Sequence, residues 1–140
     1  MNYWLIKSEP STYSIDDLKK DGVTFWDGVR NYQARNFMRD GMKKGDLVLF
    51  YHSNVEPPGV AGVCRVAKEA APEKKEPTWV GVEVEFVKKL KDTVSLEALK
   101  ANPNLNGMLV IRRGQRLSVQ PVEKEHYEEV LKMEKRESDV

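Results

Sequence analysis

Short apolar segments alternate with capped helical segments in the first third of the chain. Tyr3–Ser8 has the composition of a short strand. Ser14 can cap a helix that has acidic residues in its first turn and ends at Gly22. Asn31 can cap a second helix, in which apolar residues recur at i, i+3 and i+4 from Ala34. The pattern predicts a strand followed by two short helices.

The middle of the chain changes to the period of strands. Leu47–His52 and Val60–Ala67 are apolar on both faces, and Val80–Val87 alternates apolar residues with charged or small ones. The segment between the first two strands is too short for a helical crossover, so we expect this pair to be antiparallel. The residues from Ala70 to Pro77 are typical of a solvated loop.

The last third of the chain predicts a short helix capped by Ser95, a late strand over Leu117–Gln120 and a closing helix over Glu123–Lys135. Residues 134–140 are charged and without period, which predicts a disordered tail after a single domain over residues 1–133. Antiparallel strands interrupted by short helices indicate an α+β fold on a curled sheet or open barrel.

Composition narrows the class of protein. The chain has 140 residues, 40% hydrophobic and 32% charged, with a formal net charge of +1. This content is enough for one folded domain without disulfides, and any site for a polyanion must come from local clusters of basic residues. The apolar run near the amino terminus is far shorter than a signal peptide or membrane span, so we expect an intracellular protein with no membrane partner.

Few residues offer catalytic or metal chemistry. Cys64 is predicted to be a buried structural thiol, and His126 a surface histidine. No metal-ligand spacing includes the two histidines, so no metal and no cofactor are expected. His52 and Ser53 are adjacent in an extended segment and point to opposite faces, which argues against a catalytic pair. No catalytic residue is therefore assigned, although an enzyme using Asp27 or His52 on a small nucleotide stays open.

Aromatic and small polar residues do collect where predicted elements end. Three segments have this character: Lys7–Pro10, Trp26–Asn31 and Tyr51–Asn54. A flat ring surrounded by hydroxyl, amide and carboxylate groups suits the recognition of a nucleobase, by stacking on its face and hydrogen bonding to its edge. A purely structural Trp26 in the core, and a pocket for a peptide or metabolite, remain the alternatives.

Arginine is concentrated in two short segments. The first contains Arg30, Arg35 and Arg39, and the second contains Arg112, Arg113 and Arg116. Guanidinium groups suit bidentate contact with phosphate, so these clusters predict contacts with a nucleic-acid backbone. A solvated charged face is the alternative for each cluster.

Five segments of the sequence, taken in order, closely resemble the EVE domain family, which includes the thymocyte nuclear protein group. These segments are Tyr3–Pro10, Trp26–Asn36, Gly45–Asn54, Pro58–Gly62 and Arg116–Val122. The resemblance implies a PUA-like fold, a strongly bent mixed or antiparallel β-barrel with short helices between strands. It also implies a non-catalytic reader of a modified base in DNA or RNA, with modified cytosine in DNA favoured. A plain RNA-binding PUA-like module is the alternative.

The resemblance also implies roles for particular residues. Trp26 would stack on a base flipped out of its strand, and Ser8 and Asn31 would meet the edge of that base. The other residues expected in the pocket are Asp27, Tyr51, His52, Ser53 and, on the late strand, Ser118. The residues expected near the nucleic-acid backbone are Lys7, Arg30, Arg35, Arg39, Arg113 and Arg116.

Overall fold

The computed structural model describes residues 1–138, with side chains described to residue 134. The strands are β1 Tyr3–Ser8, β2 Val23–Trp26, β3 Leu47–His52, β4 Gly59–Pro72, β5 Val80–Ser95 and β6 Val119–Val122. The helices are α1 Ile15–Asp21, α2 Tyr32–Asn36, α3 Leu96–Ala101 and α4 Lys124–Ser138. A π-helical turn, Phe37–Gly41, continues α2, and two 3-10 turns, Pro103–Leu105 and Leu109–Ile111, lie between α3 and β6.

The three predicted helix caps are confirmed. Ser14 forms a reciprocal capping box with Asp17 at the start of α1. The Asn31 Oδ1 atom accepts a hydrogen bond of 3.0 Å from the Ala34 amide. The Ser95 hydroxyl accepts one of 3.1 Å from the Ala98 amide. Each side chain satisfies an amide that the helix itself leaves without a partner, which is why these polar residues begin helices.

The strands form one mixed sheet in the order β2-β5-β4-β3-β1-β6. The pair β3 and β4 is antiparallel as predicted, whereas β1 and β3 run parallel. The parallel pair requires a crossover, and the connection between β1 and β3 contains α1, β2 and α2. Within the described residues β2 and β6 are the two edge strands and do not pair with each other, so the expected barrel is not closed.

Helices cover both faces of the sheet, so its central strands are apolar on both sides. Trp4 and Ile6 of β1 enter the core cluster that also contains α1 and α2 residues such as Leu18 and Ala34. Leu5, between them, enters the opposite cluster, which contains Val130 of α4. The alternation of side chains along each strand therefore decides which face a residue can serve.

Several boundaries differ from the sequence prediction. The strands β4 and β5 pair from Gly59 and Ser95 to Pro72 and Val80, through several register shifts, so the predicted loop is shorter than expected. The strand β6 begins at Val119, two residues later than predicted, because its pairing with β1 begins there. The helix α4 continues past residue 134, where Glu134 accepts hydrogen bonds from Lys88 and the Lys91 amide. Residues 139–140 of the predicted tail lie outside the described part.

Candidate functional site

A small cavity of about 270 Å³ opens where the end of β1 faces the edge strand β2. We call it the Trp26 pocket. It is lined by Ser8, Thr12, Tyr13, Thr24, Phe25, Trp26 and Asp27. Drug-sized ligands occupy pockets of about 300–1,000 Å³, so this cavity suits a smaller group, such as one planar ring. Its lining combines two hydroxyl-bearing threonines, a serine and a carboxylate with three aromatic rings.

The Trp26 ring is half-buried at the end of β2, as the sequence predicts for a large ring at the end of an element. The rings of Phe50 and Tyr13 lie 5.5 and 6.0 Å from it, at interplanar angles of 77° and 71°. These near-perpendicular contacts fix the indole. No described aromatic ring stacks parallel on it.

Hydrogen bonds hold one wall of the pocket against the sheet. The Ser8 hydroxyl donates to the Tyr13 carbonyl, and the Tyr13 hydroxyl donates to Asp21 Oδ2 over 2.8 Å. Burial, together with the bond to Asp21, raises the pKa of Tyr13 to about 12. His52 Nε2 accepts from the Ile15 amide over 3.1 Å, which requires that nitrogen to be unprotonated. Burial also lowers the pKa of His52. Ser8 and His52 thus fix the segment that carries Thr12 and Tyr13.

The rim of the pocket is fastened to the turn after β4. The Gly28 amide donates to Glu73 Oε2 over 3.1 Å, and Gly28 has a φ of 80°, which glycine adopts without strain. Arg30 donates to both oxygens of Glu73, over 2.9 and 2.8 Å, and its guanidinium lies 5.2 Å from the Trp79 ring centroid. The guanidinium lowers the pKa of Glu73. Arg30 therefore secures the rim instead of extending freely toward a phosphate.

The other two residues of the first arginine cluster also bond to protein groups. Arg35 donates to the Thr78 carbonyl over 2.9 Å and lies 4.9 Å from the Tyr32 ring centroid. Arg39 pairs with Asp40 at 2.9 Å. Both are away from the lining of the Trp26 pocket, and the structure does not bring them to it.

The second arginine cluster lies beside the start of α2. A groove of about 480 Å³, which we call the Arg116 groove, is lined by Asn31, Gln33, Leu109, Arg112, Gly114, Gln115, Arg116 and Leu117. Arg112, Arg113 and Arg116 are exposed, and none of them forms an ion pair with a side chain of residues 1–134. The segment 27–31 connects this groove to the rim of the Trp26 pocket. The groove thus offers unpaired guanidinium groups next to that pocket.

Tyr51, Lys7 and Ser118 do not join Trp26. Tyr51 is buried in the core cluster on the opposite face of the sheet from Phe50. Lys7 Nζ lies 6.0 Å from the Tyr51 ring centroid and donates to the Gln115 carbonyl over 3.4 Å, and burial lowers its pKa. The Ser118 carbonyl accepts from the Lys7 amide over 2.9 Å. Lys7 thus joins β1 to residue 118 and to Gln115 of the Arg116 groove. Ser53 bonds through its amide to the Ser8 carbonyl over 2.9 Å.

The remaining chemical candidates are structural. Cys64 is buried as predicted, and burial raises the pKa of its thiol. The prediction of a surface His126 is wrong, because its side chain packs under the turn at Gly107 and is only 8% exposed. No cluster of three metal-ligating side chains occurs among the described residues. No helix in the described part of the chain is both long and apolar enough to cross a membrane.

Sequence reasoning did not assign Thr12, Tyr13, Thr24 or Phe25 to the site. Tyr13 directly precedes the Ser14 cap of α1, and its carbonyl bonds to Ser8 at the end of β1. An aromatic residue immediately before a predicted cap is the signal that could have found it. Thr24 and Trp26 lie two residues apart on the strand Val23–Trp26 and therefore point to the same side, and the neighbouring Phe25 also borders the cavity.

The fold and the site define a small α+β binding domain, with a one-ring pocket beside an arginine-lined groove. The chain belongs to the EVE domain family, whose model matches residues 2–133.

Known proteins support this assignment along most of the chain. Thymocyte nuclear protein 1 from Homo sapiens is 38% identical over 97% of this chain and 75% of its own length. The crystal structure of human THYN1 in complex with DNA containing 5-methylcytosine is 38% identical, with a TM-score of 0.86, over 96% of this chain and 98% of that one. The Mmi1 YTH domain in complex with RNA is 11% identical, with a TM-score of 0.61, over 96% and 78% of the two chains. The last likeness shows a shared fold only.

Proposed function

We propose that this chain binds nucleic acid and reads a modified base held in the Trp26 pocket, with modified cytosine in DNA as the favoured ligand. The observation that carries the proposal is the half-buried Trp26 indole, which is fixed by two perpendicular rings and has no parallel-stacked partner among the described residues. Stacking on such a ring supplies about 1–3 kcal/mol per base. A base turned out of its strand needs this contribution to offset its lost stacking with neighbouring bases.

Polar groups around the pocket suit the edge of a cytosine. The exposed carboxylate of Asp27 can accept from the exocyclic N4 amine, as acidic side chains do when they recognise cytosine. The hydroxyls of Thr12 and Thr24 can serve as donors to its carbonyl oxygen and ring nitrogen. A methyl group in an apolar corner adds about 1–3 kcal/mol, so the preference over the plain base should be roughly ten- to two-hundredfold.

The Arg116 groove is the proposed contact for the sugar-phosphate backbone. Arg112, Arg113 and Arg116 have no acidic partner among residues 1–134, whereas Arg30 and Arg39 do. Backbone contacts therefore come mainly from the second arginine cluster. Phosphate contacts of this kind make affinity decrease steeply as salt increases.

Relatives support the same reading. The structure of human THYN1 holds DNA containing 5-methylcytosine, and the crystallised chain matches 96% of this one. The fold shared with a YTH domain supports the PUA-like description implied by the sequence. The name thymocyte nuclear protein 1 supports an intracellular site of action.

A fluorescence titration tests the proposal. The protein is titrated with short single- and double-stranded DNA and RNA that carry plain cytosine, 5-methylcytosine, 5-hydroxymethylcytosine or N6-methyladenine. We expect quenching by one modified oligonucleotide, lost in Trp26→Ala and retained in the matched control Trp79→Phe. Equal binding by the wild type and Trp26→Ala would overturn the assignment of the pocket. No binding to any oligonucleotide would overturn the function.

A further inference from the structure

A second groove adjoins the Trp26 pocket on the outer side of β2. This Phe25 groove has a volume of about 600 Å³ and is lined by Phe25, Asp27, Ala71, Pro72, Glu73, Lys74 and Lys75. It shares Phe25 and Asp27 with the Trp26 pocket. The two cavities therefore border each other at β2.

The Phe25 ring is held in place while a large part of it faces solvent. The Phe25 residue is 40% exposed. A Cβ atom at Gly81 would lie 2.6 Å from Phe25 Cζ and 2.8 Å from Cε2, so the ring occupies the space that a side chain at residue 81 would need. The ring therefore packs on β5 at Gly81 in a fixed position, and it presents a preformed stacking surface.

The rest of the groove combines an apolar floor with two lysines and with the carboxylates of Asp27 and Glu73. Ala71 and Pro72, at the end of β4, pair with β5 beside the Phe25 ring. Lys74 and Lys75 are exposed and form no ion pair with a described side chain. Both oxygens of Glu73, the nearest carboxylate in the turn, are bonded to Arg30. The lysines are therefore available to an anion.

We propose that the Phe25 groove is a second subsite, which takes the nucleotide next to the read base. The neighbouring base stacks on the Phe25 ring, and a phosphate of the same strand meets Lys74 and Lys75. An aromatic surface with adjacent cations is the usual means of binding a single-stranded nucleotide without regard to its sequence. This inference rests on the proposed function, because it extends the ligand of the Trp26 pocket by one residue.

The groove lies on one side of the pocket, so only one of the two flanking nucleotides can enter it. The test uses oligonucleotides of one length that carry the modified base with an abasic residue on its 5′ side, on its 3′ side or on neither side. We expect one of the two abasic oligonucleotides to bind at least about fivefold more weakly than the intact one, because it lacks one stacked base. The other should bind like the intact strand.

Variants assign the effect to the groove. In Phe25→Ala the difference between the intact and the sensitive abasic oligonucleotide should disappear. The matched control is Val23→Ala, which changes a residue that is 45% exposed on the same strand and outside the groove. This control should keep the difference. The double variant with Lys74→Ala and Lys75→Ala should weaken every oligonucleotide and make affinity less dependent on salt.

Three results would overturn the subsite. The first is equal binding of all three oligonucleotides by the wild-type protein. This measurement does not depend on the folding of any variant. The second is an equal loss of affinity for all three in Phe25→Ala, which would mean that Phe25 acts only through Trp26. The third is an unchanged affinity in the lysine variant, which would favour a protein partner on this groove. If no oligonucleotide binds, the proposed function itself fails.

Discussion

One methyl group added at residue 81 should disturb the strand that carries Trp26. In Gly81→Ala, the new Cβ would lie 2.6 Å from Phe25 Cζ and 2.7 Å from the Trp26 carbonyl oxygen. The ring can turn aside, but the carbonyl belongs to the backbone of β2, which pairs with β5 along its whole length. Relief of the contact therefore requires β2 to move away from the sheet, and the Trp26 pocket to change shape with it.

The size of the effect follows from the cost of overpacking. Extra atoms forced into a packed site cost about 1–3 kcal/mol. For a domain of this size, that corresponds to a decrease in Tm of ~3–10 °C. Affinity for the modified oligonucleotide should decrease as well, because a displaced indole loses part of the ~1–3 kcal/mol of base stacking.

Thermal unfolding and oligonucleotide titration of four proteins provide the assay: wild type, Gly81→Ala, Phe25→Ala and the double variant. Removing the Phe25 ring eliminates two of the three close contacts, so the double variant should recover part of the stability lost in Gly81→Ala. A coupling energy above about 0.5 kcal/mol would show this recovery. If Gly81→Ala has the Tm and affinity of the wild type, the close packing of β2 against Gly81 is refuted.

Three further predictions concern stability and salt. Asp46→Ala removes the carboxylate that accepts hydrogen bonds of 3.0 Å from the Trp4 indole and from two amides. Denaturant titration should therefore show that the free energy of unfolding decreases by about 3 kcal/mol or more. Burial lowers the pKa of His52 below its ordinary 6.5, so the unfolded chain binds more protons and stability decreases as pH falls through that value; His52→Gln should flatten Tm between about pH 7.5 and 5.5. Replacing Arg112 and Arg116 by alanine should reduce the salt slope of DNA binding by about 0.9 per lost phosphate contact.

Local patterns in the sequence predicted the elements whose cause is local. Ser14, Asn31 and Ser95 begin helices because their side chains bond to amides only a few residues away. The central strand Leu47–His52 was predictable because burial on both faces leaves a continuous apolar run. The half-exposed state of Trp26 also follows from a local pattern, because polar residues come directly after it in the sequence.

Contacts between distant segments could not be predicted in the same way. Arg30 resembles a free phosphate ligand until Glu73, 43 residues away, is placed against it. The pairing of β4 with β5 also extends both strands into charged segments whose composition predicts a loop. Tyr51 is next to His52 in the sequence, but alternation along β3 sends its ring to the opposite face.

The central claim is that a modified base enters the Trp26 pocket and stacks on the indole. The most direct measurement is an NMR spectrum of the protein bound to an oligonucleotide whose 5-methylcytosine carries a ¹³C-labelled methyl group. The account predicts that the methyl resonance shifts under the ring current of Trp26 and shows nuclear Overhauser contacts to its indole protons, both lost in Trp26→Phe or Trp26→Ala. A bound oligonucleotide whose methyl resonance stays at its free position would contradict the account.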